Sequence, residues 1–161
     1  MKKYIGALLA AAALVVLDQW TKYLAILYLK GRDAFVIWDG VFELQYLTNN
    51  GAAFGILQNQ RILFLVFTAV IIAALAFVFA KLPSEKKYRP LQILCVLICA
   101  GAVGNMIDRL FRGYVVDFLY FCLIDFPIFN VADCYVTVSA VLLVLLLLFY
   151  YKEEDLEVIW K

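Results

Sequence analysis

Residues 62–80, ILFLVFTAVIIAALAFVFA, run for nineteen positions without a charged side chain. A stretch that long and that apolar crosses a bilayer as a helix. It sets the reading of everything on either side. Downstream, a short loop at 81–90 holds Lys81, Lys86, Lys87 and Arg89, and two further apolar runs at 91–110 and 131–151 read as helices. Upstream, MKKYIGALLAAAALVVL resembles a secretory leader, but no small-residue cleavage site follows and the apolar run continues to about residue 29. At 1.5 Å per residue, positions 4–29 span roughly 39 Å as a helix, enough to cross a tilted bilayer. The prediction is an all-α integral membrane protein, one domain over 1–161, with four transmembrane helices at about 4–29, 62–80, 91–110 and 131–151.

Composition agrees. The chain is 66% hydrophobic and 17% charged, with a mean hydropathy of +0.92. A soluble domain carries about 45–50% apolar and about 25% charged residues. The net charge of +1, with no basic patch, argues against nucleic acid as a partner. There is no histidine, which removes Ser-His and Cys-His nucleophiles and imidazole metal sites. Ser84 lies in a polar loop and Ser139 inside an apolar run, which argues against a serine hydrolase. The cysteines form no CxxC, so neither a metal nor another cofactor is expected. Carboxylates are the acid–base groups that remain.

Residues 30–60 change character. Within 34–48, Phe42, Leu44 and Tyr46 alternate with Glu43 and Gln45, and Asp39-Gly40 offers a turn. This reads as a small β-hairpin. The small-residue block NNGAAFG follows at 49–55, where an asparagine could bond the amides of an extended peptide or simply form a turn. Lysine and arginine counts orient the chain. Eight lie at the amino end, in the 81–90 loop and in the tail, against six elsewhere. The positive-inside rule then places both termini in the cytoplasm, and Asp18, Asn49, Asp108, Asp117 and Asp133 at the outer face. The tail from 152, KEEDLEVIWK, is charged and reads as loosely ordered.

The polar residues concentrate in 101–133, GAVGNMIDRLFRGYVVDFLYFCLIDFPIFNVAD. Ionisable groups at a bilayer are expensive and mark function by default. Gly101, Gly104, Asn105 and Asp108 share one helix face, which reads either as a Gly-lined packing face ending in an Asp-Arg pair or as part of a site. Arg109 could hold carboxylates or grip a substrate carbonyl. Asp18 and Lys22, four apart, suit an intrahelical ion pair. Asp117 and Asp133 each follow an apolar run. Two aspartates placed close together would share one proton, so one could activate water while the other protonates an amide. Asp125 is a rival partner, although Pro127 beside it suggests an exposed turn.

Five blocks in order, DQWTK (18–22), NNGAAFG (49–55), GAVGNMIDR (101–109), VVDF (115–118) and FNVAD (129–133), closely resemble lipoprotein signal peptidase, the signal peptidase II family of bacterial aspartyl proteases. The resemblance covers essentially the whole chain. It implies Asp117 and Asp133 as catalytic dyad. It implies Asn49, Gly51, Asn105, Arg109 and Asn130 along the substrate groove, and Asp18, Lys22 and Asp108 as architectural support. It implies a substrate that is a prolipoprotein cleaved before a diacylglyceryl-modified cysteine, an extracytoplasmic β-cradle formed by the 34–48 hairpin, and inhibition by globomycin. The expected setting is the bacterial cytoplasmic membrane, with the lipid bilayer and the substrate as partners of a monomer. Two other classes remain open on the residues alone: a small proton-coupled carrier using the aspartates as a relay, and an assembly factor whose polar belt binds a partner helix.

Overall fold

Four long helices and a small sheet make up the computed structural model, which describes residues 1–51 and 60–160. The second half of the NNGAAFG block, from Ala52, lies outside the described residues. Helix α1 is Lys2–Tyr28, α2 Arg61–Lys81, α3 Arg89–Phe111 and α4 Val131–Phe149. All four are long and apolar enough to cross a membrane. None of the residues of α2 is buried. A surface of Phe, Leu, Ile and Val on every side suits lipid, where no polar stripe is needed.

Helix α3 is the centre of the bundle, packed against α1, α2 and α4. Two glycines make the approach possible. A Cβ on Gly101 would sit 2.5 Å from the Ala132 carbonyl oxygen and 2.8 Å from Val136 Cγ2, and one on Gly104 would sit 2.5 Å from Asp18 Oδ2. Small residues are how membrane helices gain backbone contact where lipid gives no hydrophobic drive. The glycine pair therefore does line a packing face, and Asn105 and Asp108 follow on the same side of α3.

The sheet has one strand more than the sequence suggested. Strands β1 (Phe35–Trp38) and β2 (Phe42–Asn49) form the hairpin, with Gly40 at φ +67° in its turn. A third strand, β3 (Val115–Tyr120), pairs antiparallel to β2, with Leu47 opposite Asp117 and Asn49 opposite Val115. Val115, Val116 and Phe118 are buried, the last two packing with Ala25 and Leu29 of α1. Asp117 thus sits on a strand held from both sides and not in a loop.

The tail is the other correction. Residues 153–159 continue as α5 (Glu153–Leu156) and a 3₁₀ turn, docked on the bundle. Tyr151 is buried against Leu82, Tyr88 and Leu91, and its hydroxyl donates to the Lys87 carbonyl at 2.6 Å. Lys87 pairs with Asp155 at 2.5 Å. The charges that suggested disorder alternate with Leu156, Val158 and Ile159, which pack onto this cluster.

Candidate active site

The base of the site is a buried ion cluster. Asp18, Lys22 and Asp108 are all fully buried. The Lys22 ammonium donates to Asp18 Oδ2 at 2.9 Å, to Asp108 Oδ2 at 3.2 Å and to Asn105 Oδ1 at 2.9 Å, which uses all three protons. Burial of such charges is tolerable only with this degree of pairing. The remaining oxygens are used to join elements. Asp18 Oδ1 accepts the backbone N–H of Ala132 at 2.9 Å, so α1 caps α4. Asp108 Oδ2 accepts the Val116 N–H at 3.1 Å, so α3 holds β3. Asp108 Oδ1 accepts from Arg112 and, at 3.0 Å, from Gln19.

Arg112 and Gln19 were not singled out in the sequence. The signal for Arg112 was the same four-residue spacing that pairs Asp18 with Lys22. The partner of Asp108 is Arg112 and not the adjacent Arg109, because neighbouring residues on a helix point about 100° apart. Arg109 instead donates to the Gly51 carbonyl at 3.0 Å and lies over the Phe64 ring. It holds the 49–51 segment at the rim of the site.

Above this base the two aspartates meet through asparagines. Asn130 caps α4: its side-chain oxygen accepts the Asp133 N–H at 3.0 Å, while Asp133 Oδ2 accepts the Asn130 N–H at 3.2 Å. That reciprocal box leaves the Asn130 side-chain N–H₂ free to donate to Asp117 Oδ1 at 2.6 Å and to Asn105 Oδ1 at 3.2 Å. Asp117 Oδ2 accepts from Asn49 at 3.0 Å, and Asp133 Oδ1 accepts from Asn105 at 2.8 Å. One residue, Asn130, therefore bonds both carboxylates. The backbone brings this about by closing 120–128 as a loop: the Phe118 and Leu119 N–H groups both donate to the Phe129 carbonyl, at 2.9 and 2.8 Å. The chain then enters α4 beside the strand it left.

Asp117 is almost wholly buried. Burial, reinforced by the charge of Asp133, pushes its carboxyl up to about 7, against the opposing pull of the Asn49 and Asn130 amides. A carboxyl so placed keeps its proton well above the ordinary carboxylate range, beside a second carboxylate. Both face a cavity of about 800 Å³. Its floor is polar, with Asn49, Gly51, Asn105 and Arg109, and its walls are apolar, with Leu47, Phe121, Phe126, Phe129 and Val138. Asp125 is not part of this arrangement. It is exposed, at φ +47°, and accepts from the Tyr120 hydroxyl at 2.7 Å.

The chain is similar to known proteins over most of its length. The family model for signal peptidase (SPase) II matches residues 10–149. Lipoprotein signal peptidase of Streptococcus thermophilus is 44% identical over 134 residues, 83% of this chain and 86% of the relative. That of Streptococcus pyogenes serotype M5 is 41% identical over 155 residues, 96% of this chain and 98% of the relative. Two solved structures of a bacterial membrane enzyme superpose with TM-scores of 0.80 and 0.77 at 35% identity, covering 92% and 91% of this chain and 92% and 94% of theirs. With four helices long and apolar enough to cross a membrane, the chain belongs to the signal peptidase II family of aspartic-type membrane peptidases.

Proposed function

We propose that Asp117 and Asp133 share one proton and hydrolyse a peptide bond in a prolipoprotein, just before a cysteine that carries a diacylglyceryl group. The observation that carries this reading is the double hold of Asn130 on both carboxylates at the mouth of an apolar-walled cavity. The ionised aspartate takes a proton from water as the water attacks the scissile carbonyl. The protonated one bonds the carbonyl oxygen and later passes its proton to the leaving nitrogen. Each asparagine amide is fixed in orientation by a backbone donor, Gly51 N–H for Asn49 and Asp133 N–H for Asn130, so both present N–H to Asp117. This holds the dyad still while its charge changes.

The substrate-binding assignment follows the same surface. Asn49, Gly51, Asn105 and Arg109 line the cavity and offer donors and carbonyls to an extended peptide, and the phenylalanine wall suits acyl chains. Asn130 is buried beneath them and acts on the substrate through the two carboxylates it bonds. The β-sheet beside β3 would rest on the membrane surface. Arginine and lysine placement supports cytoplasmic termini and a site at the outer face of the bacterial inner membrane. Globomycin is expected to occupy the cavity, and a monomer carries a complete site. A proton carrier would need polar groups along the depth of the bundle, whereas the buried aspartates here gather at one end.

The test is cleavage of a diacylglyceryl-modified prolipoprotein by purified protein in lipid. Asp117→Asn and Asp133→Asn are each expected to fall to background with membrane insertion and thermal unfolding near wild type. Normal cleavage by either variant would sink the dyad.

A further inference from the structure

At the opposite end of the bundle a second cavity, of about 490 Å³, opens between the first turns of α1 and α3 and the end of α2. Lys2 lies sixteen residues before Asp18 on α1, as Arg89 does before Asn105 on α3, so about 24 Å separates it from the site. Lys2 and Arg89 line its mouth, no acidic residue lines it, and neither side chain has an ion-pair partner among the described residues. Lys3, beside them, is already committed: its ammonium donates to the Phe79 and Leu82 carbonyls at 2.7 and 2.5 Å and closes the end of α2.

The walls repeat at helical spacing. Lys2, Gly6, Ala10 and Leu14 fall four apart on α1, and Arg89, Ile93 and Leu97 fall four apart on α3. Each cation therefore heads an apolar stripe, and the two stripes flank one groove. The small residues keep the groove open: a Cβ added at Gly6 would meet nothing within 4 Å. From Lys2 to Leu14 the stripe runs about 18 Å, close to the hydrocarbon depth of one leaflet.

We propose that this cavity binds an anionic glycerophospholipid, its phosphate between Lys2 and Arg89 and one acyl chain laid in the α1–α3 groove. The charge of the mouth selects an anionic headgroup over a zwitterionic one, and basic pockets between membrane helices are suited to this. A lipid held there binds the folded bundle and not the unfolded chain, so it stabilises the fold.

The full-length protein in detergent is incubated with phosphatidylglycerol, phosphatidylcholine or inorganic phosphate, then followed by thermal unfolding and by native mass spectrometry. Phosphatidylglycerol is expected to raise Tm by several degrees and to be retained one per chain, with phosphatidylcholine giving a third of that shift or less and inorganic phosphate none. The Lys2→Gln/Arg89→Gln double variant removes the charge, and Gly6→Leu fills the groove. Both should lose the phosphatidylglycerol increment while prolipoprotein cleavage stays at the wild-type rate. Equal shifts from both lipids, an equal shift from inorganic phosphate, or full lipid retention by the double variant would overturn the proposal.

Discussion

Asp117 receives one amide N–H on each oxygen, from Asn49 and Asn130, yet its carboxyl is held up to about 7. Burial and the neighbouring Asp133 outweigh the two donors. The sign of the pH dependence follows. On the one-proton dyad proposed above, kcat/KM should fall as pH rises through about 7, where the proton that serves the carbonyl is lost. A profile flat from pH 6 to 9 would contradict this. Asn49→Ala removes a donor that favours the charged form. Its alkaline limb should therefore move to higher pH, by about half to one unit for a hydrogen bond of about 1 kcal/mol. A limb that moves down would reverse the assignment. At this scale the sequence singled out Asp117 and Asp133 as acids that follow apolar runs, and Asn130 through the family resemblance alone; the capping box that joins Asn130 to Asp133 is what the structure adds. The donor work of Asn49 and Asn105 on the carboxylates was not legible, since it depends on the Gly51 N–H turning one amide and the Lys22 ammonium turning the other.

Between residues and the whole, the buried cluster of Asp18, Lys22 and Asp108 acts as the joint of α1, α3, α4 and β3. Lys22→Met leaves the buried carboxylates of Asp18 and Asp108 without the ammonium that both contact. A loss of about 3–5 kcal/mol is expected, read as thermal or denaturant unfolding in detergent. Arg112→Met should lose less, about 1–2 kcal/mol, because Gln19 and the Val116 N–H still satisfy Asp108 and the guanidinium is partly exposed. Equal losses from the two substitutions would mean that Lys22 is not the centre of the joint. Helices and hairpin could be read from run length and alternation. Strand β3 could not: VVDFLY is apolar on both faces, and a short unalternating run does not declare its state. What makes it a strand is the partner edge of β2 and the covering of α1, neither of which is local.

Across the whole molecule the two ends are stabilised separately. The site end rests on ions and asparagines, the other end on an apolar cluster of Leu82, Tyr88, Leu91, Cys95 and Tyr151, onto which the tail packs. The tail's role was hidden in the sequence because six of its ten residues from 152 to 161 are charged, while Leu156, Val158 and Ile159 do the docking. Tyr151→Ala empties a buried ring site and strands the Lys87 carbonyl that its hydroxyl satisfies. A loss of about 3–5 kcal/mol is expected from the ring alone. Lys87→Ala breaks only a surface ion pair and should leave Tm close to that of the wild type. Neither residue touches the dyad, some 24 Å away by helix rise. In both variants Tm should therefore separate from catalysis: Tyr151→Ala unfolds earlier but, below its Tm, keeps the wild-type KM and the same alkaline limb. A shifted limb in Tyr151→Ala would mean that the two ends are coupled through α3, and that the tail sets the geometry of the aspartates as well as the stability of the bundle.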